Sequence, residues 1–241
     1  MSNRKIQIVP DLPALSRAGA DEIVRRAKES IASRGRFTIA LSGGSTPQGA
    51  HALLAQKDLP WEKIYIFFGD ERHVPPDDKE SNYRAARESL LSKAPIPPEN
   101  IHRIRAELPA DVAAQQYEKE LRKFFQQPPG EWPRFDLIML GMGPDGHTAS
   151  LFPGTAALNE NSRWVVANRV EKLNTWRITF TFPLINHATE VLYLIAGDDK
   201  AEVLRDILEG EKKDAYPTQQ VQPVDGKLLW IIEKDAERLL K

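Results

Sequence analysis

One imidazole in this chain sits where acid-base chemistry would need it. His147 lies in Leu140-Gly141-Met142-Gly143-Pro144-Asp145-Gly146-His147-Thr148-Ala149-Ser150-Leu151-Phe152-Pro153, a turn framed by three glycines with Asp145 two residues upstream. Histidine's ordinary pKa of about 6.5 suits a general base at neutral pH, and a neighbouring carboxylate can select its tautomer and stabilise its charged form. A lone histidine more often caps a turn or satisfies local structure, but the glycine frame and the aspartate weigh against that role here. Gly141, Gly143 and Gly146 also match the spacing of a dinucleotide fingerprint. That reading fails because Asp145 would put a carboxylate beside the pyrophosphate, and the next strand ends in Asn168-Arg169 rather than in an acid for the ribose.

Three further segments supply charge. Ser42-Gly43-Gly44-Ser45-Thr46-Pro47 follows an apolar run and leads into a helical pattern, so its backbone N–H groups and the helix dipole favour an anion. It lacks the lysine of a nucleotide P-loop and the Gly-x-Ser-x-Gly of a nucleophile elbow, which leaves phosphate without a nucleotide as the favoured ligand and a tight turn N-capped by Thr46 as the plain alternative. Gly69-Asp70-Glu71-Arg72-His73-Val74-Pro75 gathers charge at the end of another apolar run; Arg72 can give a phosphate two parallel hydrogen bonds, and Asp70 or Glu71 can hold a sugar hydroxyl or fix the arginine. The plain alternative is a solvated ion pair. Lys200, in Gly197-Asp198-Asp199-Lys200, follows a strand pattern and is placed to reach the same sheet edge.

Composition removes other chemistries. The chain has 241 residues, 33 Lys+Arg against 34 Asp+Glu, 41% hydrophobic residues and no cysteine. Without cysteine there are no disulfides, thiolate metal sites or cysteine nucleophiles, and the five histidines show no metal-ligand spacing, so no metal is expected. Balanced charge argues against a nucleic-acid partner. The apolar runs are far shorter than a membrane span, and the segment from Met1 to Pro10 lacks a signal-peptide core, which predicts a cytoplasmic protein with no membrane partner.

The elements that must position these loops alternate. Short apolar runs at Ile6–Val9, Phe37–Leu41 and Ile64–Phe68 are each followed by a helical pattern, at Leu12–Ser33, Pro47–Gln56 and Ser81–Ser92. A further helix is expected over Ala110–Phe125, with strands at Phe135–Leu140, Trp164–Ala167, Ile178–Phe182, Val191–Ala196 and Leu228–Ile232. This order predicts an α/β fold: an open, mostly parallel, Rossmann-like sheet with helices on both faces. The proline-rich stretches at 75–76, 95–98 and 128–129 are too short to separate folding units, so residues 1–241 are expected to form one domain, with room for a small subdomain. In such a sheet, ligands bind beyond the carboxyl ends of the strands.

Taken together, the glycine turn, Gly69–Pro75, Leu140–Pro153, Arg177-Ile-Thr-Phe-Thr-Phe-Pro183 and Gly197–Ala201 resemble the 6-phosphogluconolactonase family over most of the chain. That family shares its sheet, its Gly-Ser-Thr turn and its Asp-Gly-His loop with glucosamine-6-phosphate deaminases. Deaminases carry a ring-opening glutamate just before the proline that closes the Asp-Gly-His segment, where this chain has Phe152, and tend to read Asp-Glu-Tyr where this chain has Asp70-Glu71-Arg72. The resemblance implies hydrolysis of 6-phospho-D-glucono-1,5-lactone, a step of the oxidative pentose phosphate pathway, without cofactor or metal. His147 would activate water and Asp145 would orient the imidazole. Gly43, Gly44, Ser45, Thr46, Arg72 and Lys200 would hold the phosphate, with Arg177 nearby. The expected partner is the small sugar-phosphate lactone, and the expected assembly a monomer or small homo-oligomer. The rival readings are an amino-sugar-phosphate deaminase or isomerase and a non-enzymatic sugar-phosphate sensor, the latter disfavoured because no room remains for a DNA-binding domain.

Overall fold

In the computed structural model, residues 4–128, 130–211 and 215–241 are described; Met1 to Asn3 and Pro129, which belong to two of the segments above, lie outside them. The apolar runs inside the sheet become strands buried on both faces, as central parallel strands require, whereas the run at the sheet's edge, Ile6–Val9, leaves Ile6 and Ile8 exposed. In chain order the main elements are β1 (Arg4–Val9), α1 (Leu12–Arg34), β2 (Phe37–Leu41), α2 (Ser45–Leu54), β3 (Ile64–Phe68), β4 (Asp70–Arg72), α3 (Asn82–Ala86), α4 (Ala110–Phe125), β5 (Leu137–Leu140), β6 (Val165–Val170), β7 (Thr175–Phe180), α5 (Phe182–Asn186), β8 (Glu190–Ile195), α6 (Ala201–Glu209), β9 (Lys227–Glu233) and α7 (Lys234–Glu237).

Six strands form a wholly parallel sheet in the order β1-β9-β8-β5-β2-β3. The register puts Phe67 and Tyr193 on one face and Leu194 on the other. Phe67 meets Phe124 and Phe125 of α4, whereas Gly19 of α1 packs against Leu194, so helices cover both faces. α1 begins under an Asp11 cap, whose carboxylate accepts from Ala14 N at 2.7 Å, and ends at Gly35 in the left-handed conformation. Among the described residues, no helix is long and apolar enough to cross a membrane.

The topology creates the crevice. From β2 the chain steps outward to β3, while from β5, the neighbour of β2, the order runs the other way through β8 and β9. The loops after β2 and β5 therefore diverge at a topological switch point, where parallel sheets bind ligands.

The structure departs from expectation in four places. Trp164–Ala167 and Ile178–Phe182 do not join the parallel sheet: β6 and β7 form a separate antiparallel sheet with β4, in the order β4-β7-β6. Apolar runs alone do not reveal a strand's partner. The Asp70–Arg72 segment, expected as loop, is a strand of that second sheet. The expected helix over Ser81–Ser92 is α3 followed by a wider π turn over Arg87–Leu91. Finally, α2 starts at Ser45, with Gly44 at the N-cap, so Thr46 lies inside the helix.

At the amino ends of the strands, Asp136 ties β2 to the segment entering β5. Its carboxylate accepts from Thr38 N at 2.8 Å and Thr38 Oγ1 at 2.9 Å, and pairs with Arg34. Replacing Asp136 by Ala leaves buried donors unpaired, and about 3 kcal/mol of stability should be lost. Urea unfolding should show a lower midpoint at unchanged slope; a loss below about 1 kcal/mol would mean that the bracket is dispensable.

Candidate active site

The loop after β2 turns on two glycines. A Cβ on Gly43 would fall 1.8 Å from Asn82 Oδ1, so only glycine lets the loop lie against that side chain. Gly44, at φ 95°, opens α2, and no side chain caps the helix, which leaves its first N–H groups facing the crevice. Asn82 is buried and donates to the Asp70 carbonyl at 2.9 Å and to Asp70 Oδ1 at 3.3 Å. Nothing in its sequence neighbourhood marks Asn82 as a site residue, because it reaches the crevice only through the fold.

Past Phe68, Gly69 carries the chain out of the parallel sheet into β4. The register there sets Arg72 opposite Arg177 of β7. Like charges directly across a ladder repel. Burial, and then Arg72, push the Arg177 pKa below its ordinary value. The pair thus concentrates positive charge that an anion would relieve, with Asp70 as nearby counter-charge. The other charged groups of this segment point elsewhere. Glu71 is buried and accepts from the backbone N–H groups of Arg72, Asn82 and Tyr83 at 2.7–2.8 Å, which makes it a brace for the start of α3. His73 Nε2 lies 2.8 Å from the Leu108 carbonyl oxygen.

The loop after β5 delivers His147. A Cβ on Gly143 would lie 2.1 Å from the imidazole Cε1, so glycine is required for the ring to pass over the backbone. Gly143 N donates to the His147 carbonyl at 3.0 Å, and Gly146 N to the Gly143 carbonyl at 2.9 Å, closing the loop on itself. From outside, Thr218 Oγ1 donates to the Gly146 carbonyl at 2.8 Å. His147 Nδ1 lies 2.5 Å from Asp145 Oδ1, and the ring stacks on Phe152 with centroids 4.0 Å apart and planes 22° apart. A carboxylate can only accept, so Nδ1 carries the proton and Nε2 keeps its lone pair for the crevice. Ala149, just beyond, is held at φ 46°, the left-handed region that strains an alanine.

These loops enclose a crevice of two lobes. The first, of about 220 Å³, is lined by Ser42, Gly43, Gly44, Ser45, Thr46 and Lys200. The second, of about 350 Å³, is lined by Asp145, Phe152, Lys172, Leu173 and Arg177. Asp70, Arg72, His147 and Ala149 line both, so the imidazole stands at the junction. Gly43, Gly44, Ser45, Thr46, Asp70, Arg72, Asp145, His147, Arg177 and Lys200 each line one lobe or the other, whereas Glu71, the alternative holder of a sugar hydroxyl, does not. Lys200 Nζ donates to the Ala196 carbonyl at 2.8 Å and to Asp199 at 3.1 Å, which holds it at the rim. Lys172, from the β6–β7 hairpin, carries no motif signal and escapes sequence reasoning. Among the described residues, no group of three or more His, Asp or Glu is arranged to hold a metal ion.

Burial lowers the His147 pKa to about 4; Asp70 opposes this shift, and Arg177 and Arg72 reinforce it. The ring is therefore neutral at pH 7 and its Nε2 is a free acceptor.

Residues 10–230 match the family described as glucosamine-6-phosphate isomerases/6-phosphogluconolactonase, and the chain belongs to that family. It is 43% identical over 236 residues, 97% of each chain, to a 6-phosphogluconolactonase of Nostoc sp.. It is 45% identical over 221 residues, 91% of each chain, to one of Synechocystis sp.. Among solved structures, a 6-phosphogluconolactonase from Trypanosoma cruzi superposes with a TM-score of 0.88 at 30% identity, covering 100% of this chain and 98% of that one.

The electrostatics set a pH window. His147 and the wholly buried His51 both fall to about 4 in the folded protein. Unfolded histidine titrates at about 6.5, so between those values the unfolded chain binds more protons and stability declines as pH falls. Nitrogen-15 NMR at pH 7 should show His147 as the Nδ1–H tautomer, with a titration midpoint near 4; a midpoint at or above the unfolded value would contradict the burial argument.

Proposed function

We propose that this chain is a 6-phosphogluconolactonase that hydrolyses 6-phospho-D-glucono-1,5-lactone to 6-phosphogluconate. The observation that carries this reading is His147 Nε2 open at the junction of the two lobes, in a chain this similar over its full length to 6-phosphogluconolactonases.

The phosphate enters the first lobe, where the N–H groups at the start of α2, the hydroxyls of Ser45 and Thr46, and Lys200 meet it. The lactone then extends past His147 into the second lobe. His147 Nε2 takes a proton from water as the water oxygen bonds to C1, and the carbonyl pair becomes an oxyanion beside Arg177, with Arg72 spanning both lobes. Collapse breaks the bond from C1 to the ring oxygen, and the imidazolium returns its proton to that oxygen. Asp145, on Nδ1, keeps the ring in one orientation throughout. A bound phosphate dianion offsets Arg177 and Arg72, which lower the imidazole's proton affinity in addition to burial, and so makes it a better base.

These steps draw only on an imidazole, cations and backbone donors, and the proposal includes no metal or cofactor. One domain carries the site, and the cysteine-free sequence fits a reducing compartment, so the cytoplasm is the proposed location. Against the deaminase reading stands Phe152, whose ring lies flat on the imidazole where deaminases place a carboxylate.

Hydrolysis of freshly generated lactone, followed against its spontaneous background, tests this reading. His147→Ala should lower kcat by roughly 10²–10⁴-fold with KM little changed. An unaltered rate removes His147 as the base, and no acceleration by the wild type removes the lactonase assignment. Lys200→Ala should instead raise KM, by about tenfold for one lost charge-assisted hydrogen bond, while kcat holds. A loss confined to kcat would contradict its phosphate role.

A further inference from the structure

Asp145 poses a problem for the base it holds. A carboxylate on an imidazole nitrogen ordinarily raises the ring's pKa, by about 1–3 units at close range. A ring that already holds a proton cannot accept one from water. The structure supplies a counterweight in the β6–β7 hairpin. The turn at its tip, Glu171–Leu173, is closed by Asn174 at φ 48°, which donates from its backbone N–H to the Glu171 carbonyl at 2.9 Å and accepts from Arg169 through its side chain. This built turn lays Lys172 across the outer side of the site. Lys172 Nζ pairs with Asp145 Oδ2, the oxygen that His147 does not use, and lies 4.9 Å from the centroid of the Phe152 ring that stacks on the imidazole. One ammonium therefore touches both neighbours that fix His147.

We infer that Lys172 is a positioning residue that acts on His147 through Asp145: it clamps the carboxylate by its second oxygen and cancels its charge, so that Asp145 fixes the tautomer of the imidazole without drawing a second proton onto it. Asp70 and Arg72 of β4, Arg177 of β7 and, across the first lobe, Lys200 also face the ring. Asp70 favours the protonated ring, and Arg177 and Arg72 oppose it. None of these groups pairs with Asp145 among the described residues, so Lys172 alone balances it.

The inference rests on His147 as the base only for its kinetic consequence, and the test separates the two. Lys172→Met keeps the aliphatic stem against Phe152 and removes the charge. Without the ammonium, Asp145 favours imidazolium, so the titration midpoint of His147 by nitrogen-15 NMR should rise by about one unit, a tenfold gain in proton affinity. The acid limb of the kcat/KM profile should move to higher pH by the same amount, and Lys172→Arg should restore both. An unmoved His147 midpoint in folded Lys172→Met overturns the inference, even if KM rises, because Lys172 would then act on substrate directly. A moved midpoint with an unmoved acid limb supports the inference and overturns the reading of His147 as the base.

Discussion

The site hangs on Asp70. Its carboxylate accepts from Ser150 Oγ at 2.6 Å, just beyond the His147 turn, and from Asn82 Nδ2, whose side chain lies against Gly43 of the loop after β2. The same carboxylate is the negative charge beside Arg72 and Arg177 and lines both lobes. One buried acid thus joins three loops from different parts of the chain and offsets two cations that would otherwise drive one another apart. Buried charge is tolerated where hydrogen bonds and nearby opposite charge offset it, and Asp70 has the hydrogen bonds from Ser150 and Asn82 together with the charge of Arg177.

The second sheet explains how that convergence is reached. A parallel sheet delivers loops to its carboxyl edge but spaces them by whole strands. By leaving that sheet at Gly69, the chain lays Asp70 and Arg72 across the crevice instead of along its rim, and β7 pairs with them to bring Arg177 face to face with Arg72. Repulsion between these guanidiniums is an energetic cost that a nearby anion would relieve. Strain at Ala149, the like-charge pair and a neutral buried imidazole all sit within the same few residues, where the rules of local stability give way to chemistry.

Around His147, each contact has a separate consequence. Asp145 sets the tautomer, Phe152 excludes water from one face of the ring, and Gly143 yields the space the ring occupies. Substitution of a carboxylate for Phe152 would both charge that face and add a second acid beside the imidazole.

Much of the site was legible from sequence alone. The motifs at 42–47, 69–75 and 140–153 combine glycine, hydroxyl, charge and imidazole in patterns whose chemistry is local, and local patterns survive in any fold that places them after strands. The six parallel strands were legible too: residues buried on both faces leave continuous apolar runs in the inner strands, and the edge strand β1 still shows Ile6, Ile8 and Val9. Tertiary structure decided what depends on pairing across the chain. It removed β6 and β7 from the parallel sheet, because an apolar run does not name its partner. It turned Glu71 and His73 away from the crevice, and it brought in Asn82 and Lys172, which stand in unremarkable sequence and matter only through contacts 12 and 27 residues away. Residue type and spacing determine what a loop is able to do; only the packing of distant segments determines which charges face one another, and so which proton moves.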